Sequence, residues 1–66
     1  MSETLAHLAD EIASIERRVS DVIFDAVRSQ LRDDSAAEAH DLEKRLARVR
    51  RSLQKAEGLL RGNDRD

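Results

Sequence analysis

Two apolar runs, spaced alternately three and four residues apart, constrain this chain more than anything else in it. The first is Leu5, Leu8, Ile12, Ile15, Val19, Val22 and Ala26, and the second is Leu42, Leu46, Val49, Leu53, Ala56 and Leu60. That rhythm lays one apolar stripe along each of two α-helices. Asp33, Asp34 and Ser35 lie between the runs, with Glu38 just beyond. The expectation is an all-α fold, an antiparallel two-helix hairpin with heptad packing. Helix 1 is expected over about residues 3–32, the turn at about 33–34 and helix 2 over about 35–61.

The register supports folding back. In an antiparallel pair an a position lies level with a d position, so paired residue numbers add to a constant. Ala26 with Leu42, Val19 with Val49 and Ile12 with Ala56 add to about 68, as do Val22 with Leu46, Ile15 with Leu53 and Leu8 with Leu60. That constant places the turn at Asp34, where the turn residues fall independently. Flanking charges pair as opposites in the same register: Glu16 with Arg50, Asp25 with Arg45, and Arg32 with Glu38. Ile23 opposite Glu43 is the exception.

Local signals mark the ends. Ser35-Ala-Ala-Glu38 reads as a capping box, each side chain satisfying a backbone N–H that the helix leaves unpaired. Ser2 or Thr4 caps helix 1, with Glu3 favourably placed against the helix dipole. Gly62 after Arg61 is a helix stop, and Gly58 weakens the turns before it. Residues 62–66 carry no apolar side chain and are expected to be a disordered tail. A competing topology exists, because no Gly or Pro interrupts residues 1–57. One continuous helix would carry its seam through Val19, Ile23, Val27, Leu31, Ser35, Ala39 and Leu42, at the cost of the capping box.

Size and composition bound the rest. Sixty-six residues make one domain at most, and a two-helix hairpin encloses no core, so a partner is expected. The absence of Cys excludes disulfides, thiolate metal sites and a cysteine nucleophile. No apolar signal core and no candidate membrane span is visible, so a cytoplasmic protein without a membrane partner is expected. Ten arginines against two lysines, with nine alanines, fit a GC-rich bacterial genome. The net charge is −2, but residues 1–34 hold eight acids and four bases, and residues 35–66 six acids and eight bases. The two helices suit each other electrostatically, within or between chains.

Helix 1 carries apolar residues beyond its first stripe. Ile23, Phe24, Val27 and Leu31 lie on one flank, with the small residues Ala6, Ala9 and Ala13 earlier on the same flank. Two copies of helix 1 packed antiparallel would set Phe24 over Ala13 and Leu31 over Ala6, large into small in both directions. The expectation is a homodimer forming a four-helix bundle, with Ala6, Ala13, Ile23, Phe24, Val27 and Leu31 at the oligomer or partner interface. Docking of another protein with Phe24 as anchor, and simple exposure, are the alternatives.

On helix 2, Lys44, Arg48, Arg51 and Lys55 form a basic ridge opposite the apolar stripe, in a stretch without acids from Lys44 to Lys55. Such a ridge can follow a nucleic-acid backbone. Equally, long basic side chains keep a helix soluble, and no Trp or Tyr supplies a stacking platform. His7 with Asp10 and Glu11, and His40 with Glu43, have spacings that can converge on a metal. Both sets read instead as charged outer faces, so no metal is expected. Interior positions are aliphatic apart from Ser29, opposite Ala39, and no nucleophile motif or phosphate loop appears. Neither an enzyme, a cofactor nor a small-molecule substrate is expected.

No residue motif assigns the chain to a family. In architecture alone, a dimer of such hairpins is similar to plasmid RNA-binding regulators, and no residue role follows from that likeness. The functional expectation is a small interaction protein, a homo-oligomeric helical hairpin acting as adaptor, regulator or assembly factor. The alternative is an RNA- or DNA-binding regulator using the helix 2 ridge.

Overall fold

The computed structural model describes residues 2–29 and 36–62. They form two helices, α1 over Ser2–Ser29 and α2 over Ala36–Leu60, packed along each other. Each is about 40 Å long at 1.5 Å per residue. Asp10, early in α1, meets Arg61 beyond the end of α2, while Ser20 meets Arg50. The helices therefore run antiparallel. The described Cα atoms span 50 × 21 × 11 Å, whereas one continuous helix of this length would reach roughly 90 Å. The hairpin is the topology observed. The expected turn at Asp33-Asp34, the Ser35 cap, Leu31, Arg32 and tail residues 63–66 lie outside the described residues.

Local chemistry explains the two helices. Glu3 and Glu38 stand in the first turns of α1 and α2, and Arg28 in the last turn of α1. Acids near a helix N-terminus and bases near its C-terminus both complement the dipole. Helix α2 continues through Gly58 and stops at Gly62, whose φ of 84° is left-handed. The Gly62 N–H donates to the Leu59 carbonyl at 3.1 Å, one of the two bonds of a Schellman-type stop. Glycine reaches that backbone shape without a Cβ penalty.

Packing departs from the expected seam in an informative way. Only half of the apolar rows turn inward. Ile12, Val19, Leu46, Leu53, Ala56 and Leu60 are half-buried and Ala26 is buried, but Leu8, Ile15, Val22, Leu42 and Val49 stay 36–46% exposed. Places in the seam go instead to Ala9, Ala13, Glu16, Ser20 and Ile23 on α1, and to Ala39, Glu43, Arg50 and Glu57 on α2, all buried or half-buried. Three of the buried residues are alanines: Ala9, Ala26 and Ala39. Short side chains at the contact let the helix axes approach closely. The hairpin is then one helix thick, and residues to either side of the contact remain in water.

The polar contacts fit the expected register. Arg50–Ser20 and Arg61–Asp10 have residue numbers that add to slightly more than the expected constant of about 68. Long side chains lean toward the N-terminus of their own helix, which for α2 is toward the turn. An arginine on α2 therefore reaches an α1 residue of higher number than the one level with it. Arg50 pairs with Ser20 rather than Glu16. Asp25 pairs with Arg28 on its own helix, at 4.0 Å, rather than with Arg45.

Candidate interaction surfaces

The two broad sides of the hairpin differ in kind. One is bridged, where Arg50 Nη1 donates to Ser20 Oγ at 3.2 Å and Arg61 Nη2 to Asp10 Oδ1 at 3.0 Å. At about 100° per residue, Ile15 and Val22 lie roughly 140–160° around α1 from Ser20. Leu42 and Val49 lie roughly 80–100° around α2 from Arg50 in the same rotational sense. In an antiparallel pair both displacements lead to one side, opposite the bridges. Leu8, Ile15 and Val22 thus stand beside Leu42 and Val49 on a single aliphatic face. Covering the exposed part of each would contribute on the order of 1 kcal/mol.

Basic side chains rim that face. Arg45 and Arg48 line a shallow depression together with Val49, Ser52 and Leu53. The same two arginines, with Asp41, Lys44, Ala47 and Arg51, line a second depression farther round α2. Of the ridge residues read from the sequence, Lys44, Arg48 and Arg51 are therefore brought together, and Lys55 is exposed farther along the helix. None of the four makes an ion pair among the described residues.

The flank expected to dimerise is divided. Ile23 and Ala13 are half-buried and belong to the hairpin seam. Phe24 is 62% exposed and Val27 is exposed on the outside, with the Arg28 guanidinium 5.7 Å from the Phe24 ring centroid. Ala6 is exposed near the open end, in a depression shared with Leu5, Leu59, Leu60, Arg61 and Gly62.

At that open end a polar cluster holds the helices together, and the aliphatic pattern gave no sign of it. Arg61 Nε donates to Glu57 Oε2 at 2.9 Å while its Nη2 reaches Asp10 across the hairpin. These two anions raise the Arg61 pKa above the ordinary arginine range. Glu16 lies against Glu57, and the contact between the two carboxyls raises the Glu16 pKa above its ordinary 4.5. Glu57 is held lower by the same contact and by Arg61. Two carboxyls share a hydrogen bond only when one carries a proton. In the unprotonated pair Glu16 Oε2 is buried with no hydrogen-bond partner among the described residues. The chain of contacts from Asp10 through Arg61 and Glu57 to Glu16 was not legible in the sequence, which does not say which of these residues share a seam.

His40 is exposed, and its Nδ1 lies 3.8 Å from Oε1 of the half-buried Glu43 at the edge of the seam. Among the described residues no three of His, Asp and Glu gather where a metal ion could sit, and no helix is long and apolar enough to cross a membrane.

These surfaces define an all-helical hairpin with one aliphatic face. No protein-family model matches the chain, and no curated protein or solved structure matches it.

Proposed function

We propose that this chain is a small non-enzymatic interaction protein, a self-associating helical hairpin that acts as an adaptor, regulator or assembly factor in the cytoplasm. The observation that carries the reading is the aliphatic face. Five large aliphatic side chains, Leu8, Ile15, Val22, Leu42 and Val49, stand 36–46% exposed along one side of a hairpin one helix thick. Scattered exposed apolar residues are ordinary, but a continuous row on an element without an enclosed core marks a contact surface. A second layer of helices would convert the hairpin into the four-helix bundle that such patterning suits. Sedimentation equilibrium combined with circular dichroism tests the reading. The expected result is an oligomer at micromolar concentration, with helix content that falls on dilution. A fully helical monomer at every concentration would overturn self-association.

A second reading rests on the ridge. Lys44, Arg45, Arg48 and Arg51 line one depression on the outside of α2. This is the spacing of charge by which a helix tracks phosphates. Binding to duplex RNA or DNA that weakens steeply with salt, and that is lost in Arg48→Glu/Arg51→Glu, would establish it. Salt-insensitive or absent binding would remove it.

A further inference from the structure

The charges that rim the aliphatic face carry the reading one step further, to the arrangement of the assembly. Within the described helices, α1 holds six acids (Glu3, Asp10, Glu11, Glu16, Asp21, Asp25) and three bases (Arg17, Arg18, Arg28). Helix α2 holds four acids (Glu38, Asp41, Glu43, Glu57) and six bases (Lys44, Arg45, Arg48, Arg50, Arg51, Lys55). One helix is net negative and the other net positive.

Two hairpins stacked on their aliphatic faces can be related by a two-fold axis in either of two ways. With the axis across the helices, α1 lies on α1 of the second copy and α2 on α2, and the turns sit at opposite ends. That sets Arg45 and Arg48 of one copy along the same residues of the other. With the axis along the helices, α1 lies on α2 of the second copy, all neighbours remain antiparallel, and both turns sit at one end. Charge then alternates around the bundle. Rotation about this axis preserves height, so the register within the hairpin also holds between copies. Asp25, about 60° around α1 from Val22 on the rim of the face, comes within two residues of level with Arg45 of the second copy. Arg18 on the same rim comes level with Arg50, so the favourable pairing at the face is that of Asp25 with Arg45. Like charges at close approach disfavour the first arrangement, and opposite charges favour the second.

The size of the face fits the same occupant. From Leu5 to Ala26 the face is about 33 Å long, and the hairpin is 21 Å wide. The product, roughly 700 Å², is close to the area each partner contributes to a standard stable interface.

We propose that a second copy of this chain covers the aliphatic face, with its α2 along α1, the two-fold axis along the bundle, and both turns at the same end. The inference rests on the self-association proposed above. The test uses the full chain. It contains no Cys, so Ala37→Cys, an exposed position at the start of α2, takes a single spin label. Pulsed electron resonance is expected to report a distance between labels below about 30 Å. Turns at opposite ends would put the labels on the order of 40 Å apart. Separately, Arg45→Glu is expected to weaken the dimer severalfold, and adding Asp25→Arg to restore it. A dimer with the longer distance, or one tightened or unaffected by Arg45→Glu, overturns this arrangement and leaves self-association standing. A monomeric wild type overturns both.

Discussion

The aliphatic and the bridged faces of the hairpin are made by the same two helices, yet they solve different problems. On the bridged face, arginines on or just beyond α2 reach across to Ser20 and Asp10, so polar groups of one helix are satisfied by the other. Phe24 and Val27 are exposed on that side, the Phe24 ring covered in part by Arg28. The opposite face has large aliphatics that no described residue of the chain covers. The difference teaches that closing the hairpin buries only part of the apolar rows. Alanines, polar bridges and the half-buried Ile12, Val19, Leu46, Leu53 and Leu60 close it, while Leu8, Ile15, Val22, Leu42 and Val49 remain for something else to cover.

The largest expected effect separates the two faces. Ile15→Asp, in the centre of the aliphatic face, should dissociate the assembly and unfold most of the helix. A charge cannot be buried there, and a lone hairpin has little core of its own. Phe24→Asp should leave the oligomer intact and lose only the ring–guanidinium contact, about 0.5–1 kcal/mol. Analytical ultracentrifugation and thermal melts of the two variants side by side check this. The reverse ranking would move the interface to the Phe24 flank.

A smaller effect probes the seam between the faces. Ala9 is 0% exposed, so Ala9→Leu should push the helices apart and destabilise the hairpin by about 1–3 kcal/mol. Leu enlarging an exposed position such as Ala37 should do almost nothing, as urea melts would show.

The Glu16–Glu57 pair predicts a pH response. Glu16 has a folded pKa above its unfolded value, so the folded state binds its proton more tightly. Stability should therefore rise as pH falls from neutral toward and just above 4.5. Glu57 has the opposite sign. Its contribution is present above its unfolded pKa and is lost as pH falls below 4.5 through the depressed folded value. A melting temperature that passes through a maximum in the acid range is the expected outcome, with the rising limb absent in Glu16→Gln. Arg61→Ala should have the smallest effect of the four. It removes the tie between Asp10 and Glu57 at a half-exposed site, and its cost should disappear in concentrated salt.

Much of the fold was legible because the signals were local. Alternate spacing of three and four residues dictates a helix and names its stripe, and Gly62 can take the backbone shape that ends α2. The register favoured antiparallel pairing, since folding back near Asp34 aligns both runs and keeps the capping box that a continuous helix would lose. The candidate surfaces were less legible. Steps of about 100° place Ile23 and Ala13 on one flank with Phe24. The structure instead turns those two into the seam and leaves Phe24 outside.

Sequence alone determined which residues share a stripe and which helix is acidic and which basic, and it favoured folding back over one continuous helix without deciding between them. It did not determine how far each helix turns about its own axis. Periodicity is unchanged by rotation, so a stripe fits equally well facing its partner helix or facing sideways. Tertiary contact decided that question, through the close approach allowed at Ala9, Ala26 and Ala39 and the reach of Arg50 and Arg61 to Ser20 and Asp10. With those residues in the seam, Leu8, Ile15, Val22, Leu42 and Val49 must face outward, since each side chain is held at a fixed angle to its neighbours by the helix that carries it.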